Sequence, residues 1–578
     1  MGITVNPGFE GARSVIIGLP FQLVRNVRKY CRKPTATDLH SCLKGTSFMF
    51  HTVALEKFLR SVVPRRQILG LAICLLCLKV GVAQETLVGG IERVTQQPHF
   101  KHAHWGALFV DLNSGEVVFE RNADKLFVPA STTKLFSVAS ALDALGADYR
   151  FLTPVVRKGE ISETGELKGD LILVASGDLS FGGRTTPEGK IAFTNGDHTY
   201  ANGNPDAELT EPDPLAGLNH LAKQVASAGI KRVRGDVLID DRLFERAESS
   251  GSGPTRVSPC SINDNVVDIV ITPSEVGQLA KWTSRPQTAV IQIESKIVTV
   301  EADKPLEIML RDVGQGRISV SGQIPKGHKP VLRVQEVPDS VAFARTLFIE
   351  ALQRAGVTVD APTLGDSPSL SLPGSAEVKT LPQVAVLTSL PFSESAKLIL
   401  KVSHNLQAST LPLLVAVKNG ERTLAAGLKR QHTFLKQAGV DVDTISFAGG
   451  AGGARGDYTT PRASVQLLTY LSKRPDFPAY KDALPRLGVD GTLAKNVPPE
   501  SPARDNVQAK TGTLYADNTM NGATLMTSKA LAGYMTTAKG RSLVFALFVN
   551  NAHIRDGITT KTFGDDLGKI CENVYLHQ

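Results

Sequence analysis

A chain of 578 residues is longer than one ordinary domain, and its 42% hydrophobic content and mean hydropathy of −0.03 describe a soluble globular protein rather than a disordered or multi-span one. The net charge of +8 is unevenly placed: residues 1–83 hold 12 Lys+Arg and 3 Asp+Glu, leaving 52 against 53 from residue 84 onward. The body therefore sits at −1, and the charge pattern gives no reason to expect a nucleic-acid partner.

The front end reads as targeting sequence. Arg65-Arg66 precede an apolar run from Ile68 to Leu78, and Gly81-Val82-Ala83 supplies small residues of the kind a signal peptidase reads. Export to the periplasm or cell envelope is the expectation, with an uncleaved signal anchor as the alternative. A lipid anchor at Cys74 is disfavoured by Ile73, where a small residue belongs. Residues 1–48 exceed what such a leader needs, so Met49 is a second candidate start. Cleavage after Ala83 would leave only Cys260 and Cys571 of the six cysteines. They are free to pair in an oxidising compartment, but neither has the spacing of a metal site or redox motif.

Leu87 onward leads into His99, His102 and His104, which read as an exposed segment without an acidic or cysteine partner in sequence. Trp105 to Val118 is a strand, an Asn113-Ser-Gly turn and a second strand. From Ser131, apolar residues fall at Leu135, Val138, Ala139, Leu142 and Leu145, the spacing of a helix with one buried face. From about residue 155 the texture changes to short alternating runs, among them Gly169–Ala175, Gly235–Asp241, Asn265–Ile271, Thr288–Ile293 and Val298–Val300. Residues 181–214, rich in Gly, Asn, Asp and Pro, read as a long loop, and helices are expected at 214–229 and 340–355. A Pro/Ser/Gly-rich stretch around 364–383 reads as a linker. Beyond it come a helix at 393–402, a second apolar tract to Val417, and two strands at 531–535 and 542–550. A terminal helix ends the chain.

Three short motifs stand in order along this frame: Ser131-x-x-Lys134, Ser403-x-Asn405 and Lys510-Thr511-Gly512. Three residues apart at a helix start, Ser131 and Lys134 lie on one side, a turn apart, which sets an amine beside a hydroxyl. Serine is a weak nucleophile without an adjacent base, and a lysine shielded from water can lose its proton and become that base. Each motif alone is weak. A second Ser-x-x-Lys occurs at Ser41 and a second Ser-x-Asn at Ser261, whereas Lys-Thr-Gly occurs once.

Together the three resemble the signature of penicillin-recognising serine acyl enzymes. The 272 residues between Ser131 and Ser403 narrow the resemblance to the D-alanyl-D-alanine carboxypeptidase/endopeptidase family, the class C low-molecular-mass penicillin-binding proteins. Pro129–Leu135, Thr460-Pro-Arg462, Gly488–Leu493 and Lys510–Leu514 all look like that family. The resemblance implies an α+β fold with a β-lactamase-like catalytic domain, an antiparallel sheet with flanking helices, interrupted by a β-rich accessory insertion. The expected division is an N-terminal extension with signal peptide (1–83), a catalytic domain (84–155 and 384–578) and the insertion (156–383).

By resemblance, Ser131 is the nucleophile and Lys134 its base. Ser403 relays a proton to the leaving amine, Asn405 bonds the substrate amide, and Lys510 holds the potential positive. The backbone N–H groups of Ser131 and Thr513 receive the oxyanion, Thr511 and Thr513, with Lys510, suit a terminal carboxylate, and Gly512 lets the substrate backbone approach. Asp178 resembles a site-facing aspartate of the inserted domain that touches the cationic end of a stem peptide, with a plain turn aspartate as the other reading. Arg462 reads as structural. Where the family has an Asp-Gly-Ser-Gly-Leu-Ser-like segment, Gly449–Ala454 has lost the acid and both hydroxyls, which puts any polar role of that loop in question. The implied function is a serine DD-carboxypeptidase with DD-endopeptidase activity on peptidoglycan stem peptides, inhibited covalently by β-lactams and needing no metal or organic cofactor. A β-lactamase and a non-catalytic β-lactam-sensing or wall-binding protein are the alternatives. Oligomeric state is not legible in the sequence.

Overall fold

Ser542–Ile554 is apolar without interruption from Leu543 to Val549, as a strand segment buried on both faces must be. In the computed structural model, which describes residues 86–365, 372–555 and 557–578, it is the middle strand of a five-stranded antiparallel sheet. The order is Val507–Asn518, Ala523–Thr536, Ser542–Ile554, His104–Asp111, Val117–Arg121. Alternate residues of the middle strand serve two cores. Val544, Ala546 and Phe548 pack with the helices around Ser131, while Leu543, Phe545, Leu547 and Val549 pack with the helices Leu87–Thr95 and Thr560–His577. Each fully buried Phe or Leu here contributes roughly 1.5–3 kcal/mol. The His104–Asp111 strand pairs directly with this late strand, Phe109 opposite Phe545, so the two sequence-distant parts of the catalytic unit form one sheet.

The helix after Ser131 differs from the amphipathic one the spacing suggested. Every residue from Thr133 to Leu142 in Thr133–Leu145 is buried, because the helix is enclosed by Phe392–Lys401, Asn405–Lys418 and the sheet. Its polar residues Thr133, Lys134, Ser137 and Ser140 are thus inside the protein.

The insertion carries its own cores. A six-stranded sheet built around Leu152–Ile161 and Glu166–Val174 packs against the helices Ala216–Ser227 and Ser340–Arg354. Two three-stranded sheets follow, joined by Ile269, Ile271, Ile297, Ile318 and Val320. The strand expected at 288–293 instead runs Gln292–Val300 and pairs in parallel with Arg317–Pro325. Leu152–Ile161 pairs antiparallel with Gln383–Thr388, so the sequence boundaries at 155/156 and 383/384 cut through one strand pair. Of the linker stretch, 375–378 is a helical turn and 383–388 a strand.

Cys260 and Cys571 are both free and buried in different cores, and burial pushes the Cys260 thiol up to about 12. His99 Nε2 lies 2.9 Å from Asp566 Oδ2. Arg462 bridges Glu120 and Asp124 at the surface, the structural use expected of it. Among the described residues no helix is long and apolar enough to cross a membrane. The leader, the Met49 start and Ser41-x-x-Lys44 lie outside the described residues.

Candidate active site

Ser131 is presented by a 3-10 turn, Ala130–Thr132, just ahead of the helix that holds Lys134. Ala130 adopts φ +47°, a conformation that costs an L-residue on the order of 1–2 kcal/mol. Contacts hold it there: Thr132 Oγ1 donates to Pro129 O at 2.8 Å, and two glycines from distant segments press on the turn. A Cβ on Gly452 would fall inside the Ala130 carbonyl, and one on Gly512 would come within 2.6 Å of Pro129 O. The serine turn thus occupies the space a side chain at Gly512 would fill.

Lys134 is 0% exposed, yet no carboxylate pairs with it among the described residues. Its Nζ has three neighbours: Ser131 Oγ at 2.8 Å, Asn405 Oδ1 at 2.7 Å and Ala451 O at 2.7 Å. Burial first, and the nearby Lys510 charge second, hold this amine well below the ordinary lysine value. Ala451 belongs to the altered glycine loop, which contributes main-chain acceptors where its side chains are missing. Gly450 O likewise accepts from Ser137 Oγ at 2.8 Å. Asp457 closes the loop by accepting from Ala448 N and Ala454 N.

Ser403 sits at φ +64° in the bend between Phe392–Lys401 and Asn405–Lys418. The bend is braced by a residue of the insertion. Tyr200 Oη donates to Ser403 O at 2.7 Å and accepts from Asn405 N–H at 2.9 Å. The Asn405 side chain accepts from Lys134 and donates to Ser252 O at 2.9 Å, so its carbonyl oxygen is engaged by the lysine. Between them His404 turns inward, its Nε2 3.1 Å from Asp264 Oδ1. Asp264 also binds Arg184 at 2.7 Å, and Arg184 binds Asp197 at 2.8 Å. Burial would raise the Asp264 carboxyl, but Arg184, His404 and His198 hold it well below the usual range. The Ser-x-Asn bend thus rests on a buried ionic cluster from the insertion.

Val507–Asn518 is the edge strand of the sheet and carries the third motif. Lys510 is fully buried and donates to Thr511 O at 2.8 Å; burial first, and Lys529 second, lower its amine to about 7. Thr511 Oγ1 donates to Thr492 Oγ1 at 2.7 Å, which brings in the Gly488–Leu493 block. Thr513 Oγ1 accepts from Lys529 Nζ at 2.9 Å. Ser131, Ser403, Asn405, Thr511 and Thr513 together line a cleft of about 470 Å³.

A profile described as the D-Ala-D-Ala carboxypeptidase 3 (S13) family matches residues 87–570. The chain belongs to this family. Among similar characterised proteins, the D-alanyl-D-alanine carboxypeptidase of Actinomadura sp. strain R39 is 28% identical over 80% of each chain. The D-alanyl-D-alanine carboxypeptidase DacB of Haemophilus influenzae is 24% identical over 81% of this chain and 90% of that one. The crystal structure of penicillin-binding protein 4 from H. influenzae shares the fold, with TM-score 0.63 at 22% identity, covering 84% of this chain and 98% of that chain.

In this carboxypeptidase-family chain the structure brings together Ser131, Lys134, Ser403, Asn405, Lys510, Thr511, Gly512 and Thr513. Asp178 is not among them. It is 2% exposed and lies outside the cleft lining, with Oδ1 accepting from Ser180 N and Phe181 N, the turn aspartate of the second reading. Burial raises its carboxyl. Sequence reasoning missed Tyr200, Thr492 and Lys529. Tyr200 and Asn195, which accepts from Gly491 N at 2.7 Å, come from the 181–214 stretch read as a plain loop. The turn-rich composition of that loop says where the chain bends and not what it touches. Thr492 lay inside a block already singled out, and Lys529 carried only one signal, a lone cation in an apolar strand.

Proposed function

We propose that the chain is an exported serine DD-peptidase. In this reading it removes the terminal D-Ala from peptidoglycan stem peptides and cleaves D,D cross-links through an ester on Ser131. The observation that carries the reading is the surroundings of Lys134 Nζ. Two of its three neighbours, Asn405 Oδ1 and Ala451 O, can only accept. A neutral amine has two N–H groups and one lone pair. The two N–H groups satisfy those oxygens, and the lone pair is left for the Ser131 hydroxyl hydrogen. Burial and Lys510 favour that neutral form.

Ser131 Oγ attacks the carbonyl carbon of the penultimate D-Ala and its proton passes to Lys134. The oxyanion is received by the Ser131 and Thr513 N–H groups, the roles the family resemblance assigns. The C–N bond breaks, and Ser403 Oγ relays a proton to the departing amine. Water then attacks the ester, giving its proton back through the same groups. Asn405, whose side chain is committed to Lys134 and Ser252, acts by holding the base. β-Lactams acylate the same hydroxyl in this reading; the H. influenzae relative has been solved complexed with a β-lactam. Export rests on the basic, apolar and small-residue pattern of residues 65–83.

Purified protein is expected to form a long-lived adduct with fluorescent penicillin, lost in Ser131→Ala, and to release D-Ala from a pentapeptide. Lys134→Met should slow acylation about 10²- to 10⁴-fold, the range for a positioned general base. Rapid penicillin turnover would favour the β-lactamase reading, and labelling without D-Ala release the sensor.

A further inference from the structure

The two oxygens that can only accept from Lys134 Nζ, Asn405 Oδ1 and Ala451 O, come from segments far apart in sequence. Both segments are tied to one short hairpin of the insertion. Its strands, Ala247–Glu248 and Arg256–Val257, are two residues each, and its tip is Ser249-Ser-Gly-Ser-Gly253. Asn405 Nδ2 donates to Ser252 O at 2.9 Å. Gly453 N–H, two residues beyond Ala451, donates to Ser250 Oγ at 3.2 Å. Ser409 Oγ, one turn along the helix from Asn405, donates to Ser249 Oγ at 3.0 Å. The fit is main chain against main chain. A Cβ on Gly453 would stand 2.5 Å from Gly251 N, and one on Gly251, at φ +98°, would stand 2.8 Å from Asn405 Nδ2. From Gly449 to Ala454 the glycine loop has no polar side chain of its own, so the hydroxyl that meets its main chain at Gly453 is brought by Ser250.

A ladder of two residues a side cannot hold such a tip by itself. The base of the hairpin is fixed by Glu336, whose carboxylate accepts from Thr255 N–H and Arg256 N–H at 2.8 Å each and from Thr255 Oγ1 at 3.1 Å. We propose that Ser250 is a positioning residue for the acylation step. The hairpin tip sets the spacing of the two acceptors around Lys134, Ser250 holding the Ala451 side and the Ser252 carbonyl holding the Asn405 side. This assignment rests on the acyl-transfer reading given above. Ser250 is outside the cleft lining, so it acts through the glycine loop and not on the substrate. A shift of either acceptor swings the amine hydrogens, and with them the lone pair that faces the Ser131 hydroxyl; rates of group transfer fall steeply with such misplacement.

The test labels wild type, Ser250→Ala, Ser250→Thr and Glu336→Ala with fluorescent penicillin over a concentration series, which separates the acylation constant from binding. Ser250→Ala should slow acylation about three- to tenfold, the size of one neutral hydrogen bond, with the half-saturating penicillin concentration changed by less than about twofold. Ser250→Thr keeps the hydroxyl and should recover most of the wild-type constant. Glu336→Ala loosens the hairpin base from outside the cleft lining and should slow acylation in the same way. A wild-type acylation constant in Ser250→Ala, or a loss confined to penicillin binding, would overturn the assignment. If the alanine variant at 250 does not fold, Glu336→Ala decides by the same two measurements. Wild-type protein that takes no label fails the acyl-transfer reading, whereas labelling indifferent to Ser250 and Glu336 fails this inference alone.

Discussion

Replacing Tyr200 by Phe removes one oxygen from the insertion and leaves the ring in place. That oxygen accepts the Asn405 N–H at 2.9 Å and donates to Ser403 O at 2.7 Å, so both outer residues of the Ser-x-Asn bend lose a main-chain partner. Burial and Asp197 push the phenol above its ordinary value, which keeps it a donor across the working pH range. Two net hydrogen bonds amount to about 1–3 kcal/mol. Tyr200 lines the cleft and is partly exposed, so water can replace some of that, and the expected acylation defect is about tenfold. The bend holds Ser403 at φ +64° and sets the oxygen that engages Lys134, so the loss should fall on the acylation constant at saturating penicillin. Stopped labelling reactions over a concentration series, resolved on gels, separate that constant from binding. An acylation constant within twofold of wild type would refute the claim that the insertion braces this bend.

Three further outcomes follow from the same geometry. Gly452→Ala forces a side chain into the Ala130 carbonyl at φ +88°, and displacing the serine turn by an ångström should cost about a hundredfold in acylation; near-normal labelling would show that the turn is not clamped there. Arg184→Ala strands Asp197 and Asp264 without their buried guanidinium and should cost about 3–5 kcal/mol, read as a lower urea midpoint, and an unchanged midpoint would contradict it. Lys529 titrates near 8 when folded against an ordinary 10.5, so above about pH 8 the unfolded chain holds a proton that the folded chain has released, and stability rises with pH. Urea midpoints at pH 6.5, 7.5 and 8.5 should show wild type gaining on Lys529→Met as pH rises; a pH-independent difference would refute the lowered value.

Local pattern was enough where the deciding physics is local. The unbroken apolar run at 543–549 reads as a buried strand because a strand with helices on both faces has no polar side to show. The three motifs announce acyl-transfer chemistry because a serine needs a lysine within one turn, and 131 and 134 are one turn apart. What the sequence by itself determined, then, is the family, the candidate site residues of the three motifs and much of the secondary structure that carries them. The state of Lys134 was decided only in three dimensions. Its amine is held below the ordinary lysine value by burial that an amphipathic reading of its helix placed on one face only, and by the charge of Lys510 from a distant strand. Tyr200 and Ser403 meet across 203 positions, and Thr513 meets Lys529 through a hairpin register that composition does not encode. Asp178 shows the converse: a residue type right for binding a cation, closed off by its own turn. Protonation, orientation and access depend on which distant groups exclude water from a side chain, and that is settled when the chain packs.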